Sequence, residues 1–172
     1  AQIELERAYA QIEGNGQENM ALCCDFLAWR LALAKEMKPH CSLERRRTEL
    51  LRHHNAAWLN IWSSISAYYY ALLGESEKIP PIFGEHRLSD INMLAPGRPM
   101  MLLIENQVYL AQQEYAKVIG RSEGLLAVCE AMHYALVALH VQIQTAAAYE
   151  CLGKRTEARN CLKRALQIAL PD

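Results

Sequence analysis

The sequence predicts an all-α fold, an α-solenoid of about four helix pairs of roughly forty residues each. Three observations predict it. Apolar residues recur at spacings of three and four along almost the whole chain, the period of a helix face, and no segment reads as a strand. The pattern Ala67-x-x-Tyr70-x-x-Leu73-Gly74 returns as Ala146-x-x-Tyr149-x-x-Leu152-Gly153. Between the two copies Tyr109 precedes the turn Gln112-Gln113, so the three tyrosines lie 39 and 40 residues apart. One step earlier, Ala28 and Leu31 occupy the alanine and tyrosine places.

Each position in the pattern has a physical job. The alanine lets a partner helix approach closely, and the tyrosine fills the gap one turn later. The Leu-Gly pair ends the helix, because glycine enters the left-handed conformation without a Cβ penalty. In the last repeat Ala158, Leu162 and Ala165 are expected to pack back on the first helix. A two-helix unit cannot bury both faces alone, so such units stack on their neighbours.

Taken in order, Ile3 to Ile12 forms a short helix closed by Gly14-Asn15-Gly16. Glu18 to Met37 is a long apolar helix that stops at Lys38-Pro39, since a residue before proline disfavours the helical conformation. Ser42 caps a charged helix reaching about His54, and Asn55 caps the next, which runs through Trp58, Trp62 and Tyr70 to Leu73-Gly74. A short helix after Glu75 is disturbed by Pro80-Pro81, and Gly84 to Pro99 is the long irregular connection. Helices then cover Met100 to Ala111, Glu114 to about Cys129, His133 to Leu152 and Thr156 to Leu170, the last stopped by Pro171.

At 172 residues, 52% hydrophobic and 22% charged, the chain is a globular type that builds its own core. We treat residues 1–172 as a single helical-repeat domain. A formal net charge of -1 provides no basic field for nucleic acid, which argues against direct DNA contact. The six cysteines, Cys23, Cys24, Cys41, Cys129, Cys151 and Cys161, form no C-x-x-C pair and lie mostly in apolar runs. They read as reduced thiols of a cytoplasmic protein. No signal sequence opens the chain, and no stretch reaches the ~20 uninterrupted apolar residues of a membrane span. The chain begins without Met and stops directly after a helix, so it reads as a piece of a larger protein whose ends expose repeat-covered surfaces.

Several constellations invite a chemical reading. Cys129, His133 and His140, spaced four and seven, would share a helix face, and Cys161 would complete a metal set. The paired short-spacing ligands of structural zinc are missing, so these residues, like His53-His54, read as packing side chains, and no metal or cofactor is expected. Cys23-Cys24 and Ser63-Ser64 lie mid-helix without a base or an oxyanion-forming turn, so no catalytic residue is assigned. Gly120-Arg121-Ser122-Glu123-Gly124 falls inside a helix, where the two glycines would permit close helix contact. Arg45-Arg46-Arg47 with Arg52 is the one basic cluster, diluted by Glu44 and Glu49, and reads as a solvated face.

The repeat pattern resembles the tetratricopeptide type with long repeats. Leu110-Ala111-Gln112-Gln113-Glu114-Tyr115, Ala146-Ala147-Ala148-Tyr149-x-x-Leu152-Gly153 and Ala165-Leu166-Gln167-Ile168-Ala169-Leu170-Pro171-Asp172 narrow the likeness. Together they resemble the helical-repeat domain of large LuxR-type transcriptional regulators, the MalT-like group, over about Asn55 to Asp172. That resemblance implies a non-catalytic sensor lying between an ATP-binding domain and a helix-turn-helix. No G-x-x-x-x-G-K-[ST] loop occurs here, so ATP binding is not expected of this piece. It further implies a concave groove lined by the first helix of each repeat. By repeat alignment the lining is Ser64, Tyr68, Gln107, His140, Ile143 and Glu150. Its occupant would be a small-molecule inducer or a protein partner, with neither nucleic acid nor membrane and with homo-oligomers permitted. A constitutive protein-docking scaffold is the alternative. The Gly84 to Pro99 connection is long for a helical repeat and is expected to fold over the groove or over a repeat boundary.

Overall fold

A computed structural model describes residues 2–12, 15, 17–35, 41–52, 56–88 and 97–170. They divide into two compact units, Ala1–Tyr69 and Tyr70–Asp172. Among the described residues every regular element is helical, as the apolar periodicity requires. No helix among them is long and apolar enough to cross a membrane.

The first unit contains α1 (Gln2–Ile12), α2 (Glu18–Ala34), α3 (Leu43–Arg52) and most of α4 (Ala56–Leu73). Helix α2 is apolar because it is central: Ala21, Leu22, Cys24, Ala28 and Ala32 are all buried. Leu5 of α1 packs with Cys24 and Ala28, and Tyr9, Leu31 and Cys41 close around them. The helix is described to Ala34, with Lys35 as its C-cap, and the expected end at Met37 lies outside the described residues. The Lys38-Pro39 stop, the Asn55 cap and His53-His54 lie outside the described residues, as do Gly14 and Gly16. Ser42 caps α3 as expected, its Oγ accepting from the Arg45 amide at 3.3 Å.

Asp25 is 1% exposed and joins three helices. Its carboxylate accepts from the Tyr9 hydroxyl of α1 at 2.8 Å and from Arg46 Nε of α3 at 2.7 Å. The middle arginine of the basic cluster is therefore turned inward. Arg45 and Arg47 remain exposed, the latter over the Trp62 ring at 5.6 Å. The Trp62 indole donates to the Leu43 carbonyl at 2.7 Å, and the Tyr69 hydroxyl donates to the Phe26 carbonyl at 2.7 Å.

The second unit follows the end of α4 with a 3-10 turn, Ser76–Lys78, and the one-turn helix α5 (Pro81–Gly84). The short helix after Glu75 stops at Lys78, with Ile79 extended before Pro80, and Pro81 then starts the next helix, where its missing N–H falls on a position with no acceptor to offer. Then come α6 (Arg98–Ala111), α7 (Tyr115–Ala131), α8 (Ala135–Cys151) and α9 (Arg155–Ala169). Pro99 sits in the first turn of α6, so that helix begins two residues before Met100. Residues 89–96 of the long connection lie outside the described residues.

One turn recurs at the tyrosines. The Glu75 amide donates to the Tyr70 carbonyl at 2.9 Å, Glu114 to Tyr109 at 2.8 Å and Lys154 to Tyr149 at 2.9 Å. In each case the residue before the donor is left-handed: Gly74 at φ 73°, Gln113 at 61° and Gly153 at 73°. This is the six-to-one bond that satisfies an otherwise orphaned carbonyl at a helix end. Helices α6 and α7 thus map onto α8 and α9 by a shift of forty residues.

Two clusters lie among the buried described residues of this unit. Leu103 of α6, Leu125 and Cys129 of α7 and Val137 and Val141 of α8 form one. Tyr109, Val118 and Ala148 form the other. The early end of α8 therefore meets the late end of α7, and the two helices run antiparallel. Two expectations need correction. Leu162 of α9 is 47% exposed, while Cys161 joins Ala158 and Ala165 inside. Spacings of three then four and of four then three both fit a helix face, and packing against α8 chose the former. Gly120 and Gly124 mediate no close helix contact, since a Cβ added at either meets nothing within 4 Å.

Candidate functional site

The six groove residues divide between the units. In the first, Ser64 is buried and its hydroxyl donates to the Asn60 carbonyl at 2.8 Å, one turn back on its own helix. Tyr68 is half-buried, edge-on to Tyr69 at 5.5 Å, and burial raises the pKa of its hydroxyl. In the second unit Gln107 is half-buried on α6, its Oε1 accepting from Gln144 Nε2 of α8 at 3.1 Å. That same amide nitrogen donates to the Leu103 carbonyl at 3.1 Å. His140, Ile143 and Glu150 share one face of α8 by their spacing. His140 is half-buried, Ile143 is 43% exposed, and Glu150 is exposed with Arg155 Nε 3.7 Å away.

Burial at the helix interior reveals residues that periodicity alone passes over. Glu105 and Asn106 lie in the buried stripe of α6 among Leu103, Ile104, Val108 and Tyr109, and are 5% and 0% exposed. Helix α8 carries three more buried polar residues, Gln142, Gln144 and Thr145. The Glu105 carboxylate lies 2.5 Å from Arg121 of α7 and 3.6 Å from His86 Nδ1, in the turn after α5. The His86 ring stacks on Tyr109 with centroids 4.0 Å apart. Arg121 and Lys117 both stand 5.1 Å from the Tyr109 ring centre. Burial, then the Glu105 charge, raises the Tyr109 hydroxyl pKa.

Gln112 decides the histidine tautomer. Its Nε2 donates to the Gly84 carbonyl at 3.2 Å, so its Oε1 is the atom 2.8 Å from His86 Nε2. The ring nitrogen facing a carbonyl oxygen must donate, which places the hydrogen on Nε2. Nδ1 is left without a hydrogen-bond partner among the described residues. Asn106 is more extreme, because neither Nδ2 nor Oδ1 of its fully buried amide has a partner among those residues. The signal for these positions was a charged or amide residue in the apolar phase of a helix.

The drawn metal set does not assemble. Cys129 is buried in α7, His133 is an exposed left-handed turn residue at φ 55°, and His140 belongs to α8. Among the described residues no group of three or more metal-binding side chains occurs. All six cysteines are unpaired, and burial raises the thiol pKa of Cys24, Cys129 and Cys161. No family model matches this chain, and no curated protein or solved structure matches it either.

Proposed function

We propose that this chain is a ligand-binding sensor module of a LuxR-type, MalT-like transcriptional regulator, built as a solenoid of tetratricopeptide-like helix pairs. The six-to-one turn also follows Ile82 and Cys129, so what supports the repeat reading is the spacing of 39 and 40 residues between Tyr70, Tyr109 and Tyr149, each at such a helix end. The observation that carries ligand binding is Asn106. An unbonded buried polar group costs about 1–3 kcal/mol, and a ligand with a donor and an acceptor would recover that loss. The polar side chains of Gln107 and Gln144 on facing helices supply further groups of the kind that orient a ligand in a mostly apolar site.

A thermal-shift screen against small polar metabolites tests this. Ligand at about 100 times its Kd stabilises by about 2.7 kcal/mol. Asn106→Leu, of similar volume, is expected to melt at or above the wild-type temperature while losing the ligand-induced shift. A hit whose shift survives that substitution would remove Asn106 from the site. A well-folded protein silent across the library favours the constitutive protein-docking scaffold, a reading the exposed leucines of α9 support.

A further inference from the structure

Because α7 maps onto α9 by forty residues, each residue of the first has a counterpart in the second. In α7, Tyr115, Ile119, Ser122 and Leu126 share one face and are all half-buried. Tyr115 and Ile119 pack on the cluster containing Ala148 of α8, and Leu126 on the one containing Val137 and Val141. Helix α8 thus lies antiparallel along this face and covers it. The counterparts on α9 are Arg155, Arg159, Leu162 and Leu166, and all four are exposed, the leucines by 47% and 59%. Leu103, 4% exposed, has as its counterpart Ile143, 43% exposed. The surface that a helix covers one repeat earlier is bare here.

We propose that this face of α9 docks an acidic amphipathic helix lying antiparallel to it. The internal pairing of α7 with α8 supplies the geometry, and charge supplies the identity. Helix α9 carries Arg155, Arg159, Lys163 and Arg164 against Glu157, in a chain whose net charge is -1. Arg155 and Arg159 stand where Tyr115 and Ile119 meet the later half of α8. A covering helix must therefore be apolar at its start, over Leu166 and Leu162, and acidic near its end. An antiparallel helix also brings the negative end of its dipole to those arginines. In an antiparallel pair of two such faces, Arg155 and Arg159 of each copy would lie over Leu166 and Leu162 of the other and meet no acidic partner, so a second copy fits this face less well than an acidic helix. This surface stands independently of the Asn106 ligand reading.

The probe is a fluorescein-labelled peptide copying residues 134–151 with Ala147→Glu and Cys151→Glu. Tyr115 packs on the cluster that contains Ala148 of α8, so position 151, one turn later on that helix, falls near the counterpart of Arg155. Fluorescence anisotropy with the 172-residue chain at low salt is expected to show saturable binding. Binding should weaken at least tenfold with Leu162→Ser/Leu166→Ser, and equally with Arg155→Glu/Arg159→Glu. All four side chains are exposed, so both variants should keep the wild-type melting curve, and either one alone suffices as a test. A peptide carrying Ala147→Lys and Cys151→Lys should bind at least tenfold more weakly. Absent saturation, or equal binding by the variants or the lysine peptide, overturns the proposal. So does a wild-type dimer in sedimentation that Leu166→Ser dissociates, which would make a second copy the occupant.

Discussion

Glycine shows how one substitution changes sign with backbone conformation. Gly120 and Gly124 are helical and exposed in α7, and a Cβ at either meets nothing within 4 Å. Alanine there restricts the unfolded chain and adds no clash, so each Gly→Ala change should stabilise by about 0.8–1 kcal/mol. Gly153 also has open space, but its φ is 73°. Gly153→Ala should therefore destabilise by about 1 kcal/mol, from left-handed strain alone. Denaturant unfolding of the three variants checks this, and a common sign would refute it. Gln113 and His133 occupy the same left-handed place without being glycine, at φ 61° and 55°. Their turns were harder to read in the sequence for that reason: the tertiary contacts on either side hold a conformation that the residue itself does not prefer.

Among elements, Asp25 is the joint of the first unit. Its carboxylate, 1% exposed, holds Tyr9 of α1 and Arg46 of α3, whose side chain is 14% exposed. Asp25→Ala leaves that guanidinium without its buried partner and with only the half-buried Glu49, 2.8 Å away, which should cost about 3 kcal/mol. Replacing both residues by apolar ones, as in Asp25→Leu/Arg46→Met, should cost far less, because no orphan charge remains. A thermodynamic cycle of the two singles and the double measures this, and strict additivity would show that the pair is not coupled. Arg46 sits in the run Arg45-Arg46-Arg47, and only the packing of α3 against α2 selects it for the interior. On α9 the same kind of choice falls between Cys161 and Leu162.

At the scale of the molecule, buried acids set the response to alkali. Burial, and then the Asp25 charge, push the Cys41 thiol from the ordinary 9.0 up to about 11. Burial likewise raises Cys24, Cys129 and Cys161, and Tyr68 and Tyr109 among the phenols. A raised folded pKa means the fold prefers the neutral form. That stability is fully present below the unfolded pKa and is lost as pH rises through the folded one. The melting temperature should accordingly hold up to about pH 9 and fall between about 9 and 11 as Cys41 ionises. A melting temperature level across that window would contradict the assignment.

The all-helical class, the spacing of the tyrosines and the ends of the helices at Tyr70 and Tyr149 were legible in the sequence, while the end at Tyr109, closed by Gln113, showed only through that spacing. They depend on local rules: apolar spacing, the left-handed freedom of glycine, and the size of alanine and tyrosine. Helix starts were less legible, as at Arg98, because Pro99 fits a first helical turn as well as it fits a loop. The candidate site was the least legible. Ser64 could be placed on the first helix of a pair, but its hydroxyl turned to its own backbone. Glu105 and Asn106 showed only as polar residues in an apolar phase. Whether such a residue meets Arg121, as Glu105 does, or no partner among the described residues, as with Asn106, depends on side chains brought together from helices far apart in sequence. Local chemistry determined what each helix is and where it ends. Packing alone decided which of its faces lies inside, because several faces satisfy the helical period and only neighbouring helices choose among them.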